Sequence, residues 1–289
     1  MRAPLRLRSM VARIPLKSLR KLRRYVSPER EYVIRRILYS ALPVAHQAAP
    51  KRVVHCGTWK TASQWARNIF SDPRVYRASG LKPYYYGERS EILSGKTAPE
   101  TGILTPAYLS FDEAAGLFQR DTDRFVFVAR DPRDLVVSHY YSLLSSHPER
   151  PSVSRWRKEL AQLDKKEGIK RIIDEFDTFA SILRSWSDKG GNYRVLITRY
   201  EDLTGTDTLA AWRRVFHHGD IALPDQTIQR LLNTYSFSRI TGGRQRGAED
   251  QGHKYRKGVS GDWQNHFDDD LLAYFFERYG DLLELYGYR

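Results

Sequence analysis

Cysteine is nearly missing from this chain. Cys56 is the only one in 289 residues, so neither an intrachain disulfide nor a multi-cysteine zinc site can form. A lone thiol fits a reducing compartment. Long apolar runs are missing too: none reaches the roughly 20 residues that cross a bilayer, and the first residues lack the unbroken apolar core of a signal peptide. A soluble, cytoplasmic protein is the expectation. Acidic residues are scarce at the start, where residues 1–50 carry 12 Lys/Arg against 2 Asp/Glu. The other residues carry 36 basic and 32 acidic side chains, so most of the formal charge of +14 belongs to the first 50. A body so nearly balanced is not expected to bind nucleic acid.

That asymmetry suggests a basic N-terminal extension over 1–47 and a folded domain over 48–289, with Pro43 and Ala48-Ala49-Pro50 marking the break. From Val11 to Leu42 apolar residues alternate with arginines at roughly helical spacing, a pattern that could touch an anionic membrane surface. A solvated tail plus a helix packed on the body is the plainer alternative, because Pro4, Pro15 and Pro28 interrupt the run.

Within the body, short runs rich in β-branched or aromatic residues recur at Val53–His55, Phe125–Ala129 and Val195–Thr198, without polar alternation. Such strands suit a sheet buried on both faces. Helical patterns separate them, at Ser63–Phe70, Leu135–Leu144, Ile169–Lys189 and Asp207–His217, then at Asp225–Tyr235 and Asp268–Tyr286. The alternation predicts an α/β fold, a three-layer α/β/α arrangement with a central, mostly parallel sheet and ligands at the carboxyl ends of its strands. Residues 79–121 and 145–168 read as polar connections long enough for a lid or a substrate-binding surface.

Three segments carry chemistry. Residues 57–65, Gly-Thr-Trp-Lys-Thr-Ala-Ser-Gln-Trp, join the first strand to a helix. A helix N-terminus presents unpaired N–H groups and partial positive charge, so this loop suits a phosphate or sulfate. Lys60 adds a full charge, and Thr61 and Ser63 add hydroxyl donors. The Gly-Lys-Ser/Thr ending of a nucleoside-triphosphatase loop is missing, and a plain strand-to-helix turn stays open. The second segment is Arg130-Asp131-Pro132-Arg133-Asp134, with Ser138 eight residues after the arginine. Arg130 and Ser138 could reach one anion; a helix-capping Asp beside a surface Arg is the alternative. The third is Arg256-Lys257-Gly258-Val259-Ser260-Gly261-Asp262-Trp263, which suits either phosphate gripping or a basic surface turn.

Taken together, these segments resemble the sulfotransferases that use 3′-phosphoadenosine 5′-phosphosulfate (PAPS). Residues 59–65 fill the frame of that family's Pro-Lys-Ser-Gly-Thr-Thr-Trp loop, and 256–263 match its Arg-Lys-Gly-x-x-Gly-Asp-Trp signature without a mismatch. Tyr200-Glu201-Asp202-Leu203 and Ser236-Phe237 resemble two further elements in the same order, so the likeness runs over 52–267. The resemblance implies a sulfuryl transfer to a hydroxyl or amine of an acceptor, with adenosine 3′,5′-bisphosphate (PAP) as product and no metal. It implies that Lys60, Thr61, Ala62, Ser63, Gln64 and Trp65 bind the 5′-phosphosulfate, with Lys60 beside the leaving oxygen. It gives the 3′-phosphate to Arg130, Ser138, Arg256, Lys257 and Gly258, and the adenine to Trp65, Tyr200 and Phe237. Core packing is an equal alternative for Trp65 and Phe237.

One part of the family pattern is absent. Its catalytic histidine, in a Lys-Thr-His-Leu-Pro segment, has as nearest counterpart Leu104–Leu109, and no histidine occurs from 56 to 138. Other branches use a glutamate, which makes Glu88 and Glu91 the candidate bases. His55 and His139 lie near the cofactor loops, where packing or capping roles are as open. The missing histidine keeps a PAPS-binding protein without turnover in view, and a nucleotide kinase on a related fold is the other alternative. The Ala62 and Gln64 replacements are expected to be mild, since alanine accepts most turns except those with positive φ.

Overall fold

The computed structural model describes Ile34 and residues 37–40, 42–50, 52–85, 89–94 and 99–289. The basic segment at 1–33, with its proposed membrane contact, lies outside the described residues. Five strands form one parallel sheet: β1 (Arg52–Gly57), β2 (Pro83–Tyr84), β3 (Gly102–Ala107), β4 (Arg124–Ala129) and β5 (Val195–Arg199), in the order β2-β3-β1-β4-β5. Every residue of β1 and β3 is buried, which explains strands without polar alternation.

Side chains alternate between the two faces and feed two separate cores. Val54, Cys56, Phe125 and Phe127 point to one core, shared with helices α3 (Pro132–Tyr141), α5 (Lys165–Asp174), α6 (Asp177–Trp186) and α9 (Asp269–Tyr286). There the fully buried Trp186 stacks on Phe127 at 4.9 Å. Val53, Ile103, Val126 and Val128 point to the other, shared with α1 (Ser63–Phe70), α2 (Pro73–Ser79), α7 (Thr208–His218) and α8 (Asp225–Thr234). The architecture is the three-layer α/β/α fold, and its sheet is wholly parallel. The remaining long helix, α4 (Pro151–Leu160), lies between α3 and α5 in the chain.

Ahead of β1, Tyr39 is fully buried and stacks on Tyr76 at 5.2 Å, while the Ala45 and Ala48 N–H groups donate to Arg77 and Ser79 carbonyls at 2.7 and 2.9 Å. Among the described residues no helix is long and apolar enough to cross a membrane.

Three readings change. The connection expected over 79–121 holds β2, β3 and a helix at Phe111–Leu117, the last started by a reciprocal capping box between Ser110 and Glu113. Pro106 hides β3 in the sequence. It is accommodated because β2 pairs only as far as Leu104 and the β1 register shifts between Val54 and Cys56. The connection expected over 145–168 contains α4, whose few buried residues, Val153 and Leu160, leave a weak pattern. The single helix expected over Ile169–Lys189 is two, α5 and α6, breaking at Glu175–Phe176 where Phe176 turns into the core.

Candidate active site

The chosen loops converge because parallel strands put their carboxyl ends on one side. Lys60 follows β1, Tyr108 follows β3, Arg130 follows β4 and Tyr200 follows β5.

The loop after β1 is tightly wound. A Cβ on Gly57 would sit 2.8 Å from Thr61 Oγ1 and 3.1 Å from the Val128 carbonyl oxygen, so only glycine fits. Lys60 and Ala62 both adopt left-handed backbone, with φ of 73° and 56°. Ala62 is therefore not a mild replacement, because it occupies the one region alanine avoids. Thr61 is buried and its hydroxyl donates to the Thr58 carbonyl at 2.8 Å, so the expected free hydroxyl donor is committed within the loop. Ser63 Oγ pairs with the Tyr108 hydroxyl at 2.9 Å. α1 starts at Ser63, and the N–H groups of Ser63 and Gln64 precede the first intrahelical bonds, which Trp65 and Ala66 make to the Ala62 carbonyl. Trp65 donates from Nε1 to the Tyr235 carbonyl at 2.8 Å and meets Trp212 edge-on, which ties α1 to the segment leading into Phe237.

Arg130 is buried and joins three loops. Nη1 donates to the Lys60 carbonyl at 2.9 Å and Nη2 to the Val259 carbonyl at 3.3 Å, while the guanidinium lies 4.5 Å from the Tyr200 ring centroid. Its buried Nε has no partner among the described residues. Asp131 caps α3 by accepting from the Arg133 N–H, and Pro132 occupies the first turn. The capping Asp is thus present, whereas the surface Arg is not. Asp134 accepts from Gly261 N at 2.8 Å and Trp263 N at 3.0 Å, and Arg133 stacks on Trp263 at 3.7 Å. These contacts lock the second motif to the third. Ser138, half-buried two turns along α3, makes no side-chain hydrogen bond to any described residue.

In the third motif the cations are gathered on Asp262. It receives Arg256, Lys257 at 2.5 Å, Asn265 at 3.0 Å and His266 at 3.2 Å. Burial opposes its ionisation, but hydrogen bonds from His266, Lys257 and Arg256 outweigh that and hold the carboxyl well below the usual range. Arg256 also lies over Tyr141 at 4.5 Å. Gly258 has φ 73°, and a Cβ there would fall 2.4 Å from the Phe237 ring, so Phe237 packs directly on the loop. Lys60 shares this electrostatic neighbourhood: burial first, then the charges of Arg130 and Arg256, push it down to about 8.

Next to Lys60 in the chain, Trp59 belongs to a row of rings, Tyr108, Trp59, Phe179 and His139, with successive centroid separations of 5.1, 5.3 and 5.0 Å. The two glutamate candidates do not enter this description. Glu88 lies outside the described residues, as does the side chain of Glu91, whose backbone belongs to a short helix at Arg89–Leu93. His55 has a packing role: it is fully buried against Phe70, with Nδ1 2.9 Å from Thr105 Oγ1, and burial lowers it to about 4. Reading the sequence assigned no role to Asp134 or Asp262. The available signals were a carboxylate four residues after Arg130, where helix neighbours meet, and another inside the basic motif. Among the described residues no group of three or more His, Cys, Asp or Glu is arranged to hold a metal ion.

Comparison with known proteins bears on this arrangement. The chain is 24% identical over 188 residues to sulfotransferase 1 family member D1 of Rattus norvegicus, covering 61% of this chain and 59% of the relative. It is 26% identical over 165 residues to sulfotransferase 6B1 of Danio rerio, covering 57% and 53%. The chain thus spans between half and three fifths of the curated relatives it matches. Mouse sulfotransferase SULT7A1, solved with PAP, superposes with a TM-score of 0.61 at 16% identity, over 83% of this chain and 86% of that one. Retinol dehydratase, solved with androsterone and the inactive cofactor PAP, gives 0.55 at 17% identity over 81% of each. At such identities these likenesses establish the fold. The model of the sulfotransferase domain matches residues 109–287, well over half the chain, and takes in the second and third motifs. This chain belongs to the sulfotransferase domain family.

Proposed function

We propose that this protein transfers a sulfuryl group from PAPS to a hydroxyl or amine of a small-molecule acceptor. The observation that carries the reading is the bridge made by Arg130 between the Lys60 loop and the Val259 loop. It yields one anion-binding surface with two parts, as a nucleotide bearing phosphate at both 3′ and 5′ positions requires. The donor set fits such a ligand: two N–H groups at the start of α1, four cations, and a buried Arg130 Nε without a partner among the described residues. Both solved relatives named above carry PAP, and one carries androsterone, which supports the cofactor and a small-molecule acceptor.

In this reading the α1 N–H groups of Ser63 and Gln64, with the Thr61 and Ala62 backbone, hold the 5′-phosphosulfate. Arg130, Ser138, Arg256, Lys257 and the Gly258 backbone hold the 3′-phosphate, and Trp65, Tyr200 and Phe237 enclose the adenine. When bound, the cofactor supplies an activated sulfuryl group whose transfer leaves charge on a phosphate oxygen. Lys60 stabilises that charge, and the anion in turn relieves its repulsion by Arg130 and Arg256. The loop itself positions Lys60, since Arg130 holds the Lys60 carbonyl.

Thermal shift with PAP against ATP-Mg tests the carrier, because a ligand of the native state raises its melting temperature. Stabilisation by PAP is expected; stabilisation by ATP-Mg alone overturns the reading in favour of a kinase. Labelled PAPS offered with phenols, alcohols, amines and sugars then tests transfer. PAP binding without transfer to any of them would leave a binding protein instead.

A further inference from the structure

The cofactor side of the site is well furnished, yet the acceptor's proton has no evident destination. We infer that His139, on α3 beside Ser138, is the catalytic base that takes this proton, an inference that rests on the sulfuryl-transfer reading above. His139 ends the row of rings that begins at Tyr108 and passes Trp59, the neighbour of Lys60. Its ring is therefore two contacts from Trp59, through Phe179, and near enough to Lys60 for that charge to act on it. The imidazole is half-buried and makes no hydrogen bond to any described residue.

Other described groups near the loop are already committed. The Tyr108 hydroxyl is hydrogen-bonded with Ser63 Oγ, and burial pushes it up to about 12, too high to be ionised at neutral pH. His55 is sealed between the sheet and Phe70. Asp134 and Asp262 are occupied by backbone N–H groups and cations. His139 is unprotonated in the free protein: burial first, then the charges of Lys60 and His147, lower it to about 3. Among the described residues, those two are the charged or titratable groups acting on it. A base so depressed is weak; an anion bound at Lys60 cancels one of the two opposing charges and moves its basicity upward, while burial continues to hold it down. The base would thus gain strength only when the cofactor is in place.

The step balances. The acceptor's proton passes to a His139 nitrogen as the acceptor oxygen bonds to sulfur; the bond from sulfur to the 5′-phosphate oxygen breaks, its electron pair stays on that oxygen beside Lys60, and the imidazolium later returns the proton to water.

Two measurements test this. His139→Gln and His139→Asn should lower kcat by roughly 10²–10⁴-fold, the range of general-base catalysis, while PAP affinity stays within about threefold. Retained PAP affinity also shows that the variants fold. Turnover within threefold of wild type in either variant overturns the inference and leaves the sulfotransferase reading intact. If wild-type protein transfers sulfuryl to no member of the acceptor panel, the functional reading fails and takes this one with it. Independently of turnover, ring resonances of His139 should report a neutral imidazole at pH 6 in the free protein, with its titration moved upward by PAP. A His139 already protonated at pH 7, or one whose titration PAP leaves in place, overturns the assignment.

Discussion

Arg130 donates from Nη1 to the backbone carbonyl of Lys60, 2.9 Å away, so one buried side chain fixes the residue that the proposed function sets beside the leaving oxygen. Its other arm holds Val259, and Tyr200 lies under its plane. A lysine cannot reproduce a planar fork that serves two loops. Arg130→Lys is therefore expected to weaken PAP binding roughly 10–100-fold, the effect of losing charge-assisted hydrogen bonds worth about 1.5–3 kcal/mol. Titration calorimetry checks it, and an affinity unchanged within threefold would show that the two loops are held without Arg130.

Lys60 has a folded-state value of about 8, against 10.5 for an ordinary lysine. Proton linkage then has a definite sign. The unfolded chain binds more protons than the native one between about pH 8 and 10.5, so this lysine's contribution to stability rises with pH across that window. Binding an anion reverses the shift, and PAP should take up protons when it binds near pH 8. Calorimetry in two buffers of different ionisation heat measures the uptake, which should vanish in Lys60→Ala. Uptake that persists in the variant assigns it to another group. The same variant should lose roughly 10²–10³-fold in kcat, as when one electrostatic stabiliser is removed, with a smaller loss in PAP affinity. Equal losses would confine Lys60 to binding.

Asp262 sits almost out of solvent with Arg256, Lys257 and His266 around it. Replacing it by asparagine leaves the half-buried Lys257 without its carboxylate and Arg256 with Glu249 alone, a change that costs about 3–5 kcal/mol for a fully buried pair and less here. Asp262→Asn should lower the urea midpoint at pH 7 accordingly. Because the native carboxyl titrates below the unfolded value of 3.8, its contribution is complete above about pH 4 and declines as pH falls further. The difference between variant and wild type should therefore shrink in acid. A constant difference down to pH 3 would mean that packing, not charge, holds Asp262 in place.

How much of this was legible beforehand differs element by element. α1 and α8 could be read within a residue because their apolar faces repeat at helical spacing and their ends carry clear stops. β3 could not, since Pro106 and Thr105 imitate a turn and the accommodation comes from the short β2 beside it. The break between α5 and α6 carries no Pro or Gly; Phe176 makes it by entering the core that Phe275 and Tyr279 of α9 complete. The cations of the site were visible as motifs. Their organising carboxylates were not, because pairing Asp134 with Gly261 and Trp263 requires contacts 127 and 129 residues apart. The row of rings from Tyr108 to His139 draws on the end of β3, the first loop, α6 and α3, and no local pattern announces it.

Ala62 supplies a test with the opposite sign. It caps α1 with φ 56° and ψ 27°, a conformation in which Cβ crowds the following carbonyl and costs about 1–2 kcal/mol. Glycine removes that strain while giving back part of it as unfolded-state entropy. Ala62→Gly should raise stability by about 1 kcal/mol and the melting temperature by roughly 2–4 °C. Gly57→Ala should do the reverse, because the new methyl meets Thr61 Oγ1 at 2.8 Å and the Val128 carbonyl at 3.1 Å, and neither belongs to a free chain end. Thermal melts of the two single variants read both effects. The strain is at the helix N-terminus whose N–H groups are proposed to hold the 5′-phosphosulfate, so PAP affinity has to be followed beside stability. If Ala62→Gly stabilises the fold yet weakens PAP binding, the methyl group is holding the N–H groups of Ser63 and Gln64 in place. If both improve, Ala62 is only a strained substitute for glycine.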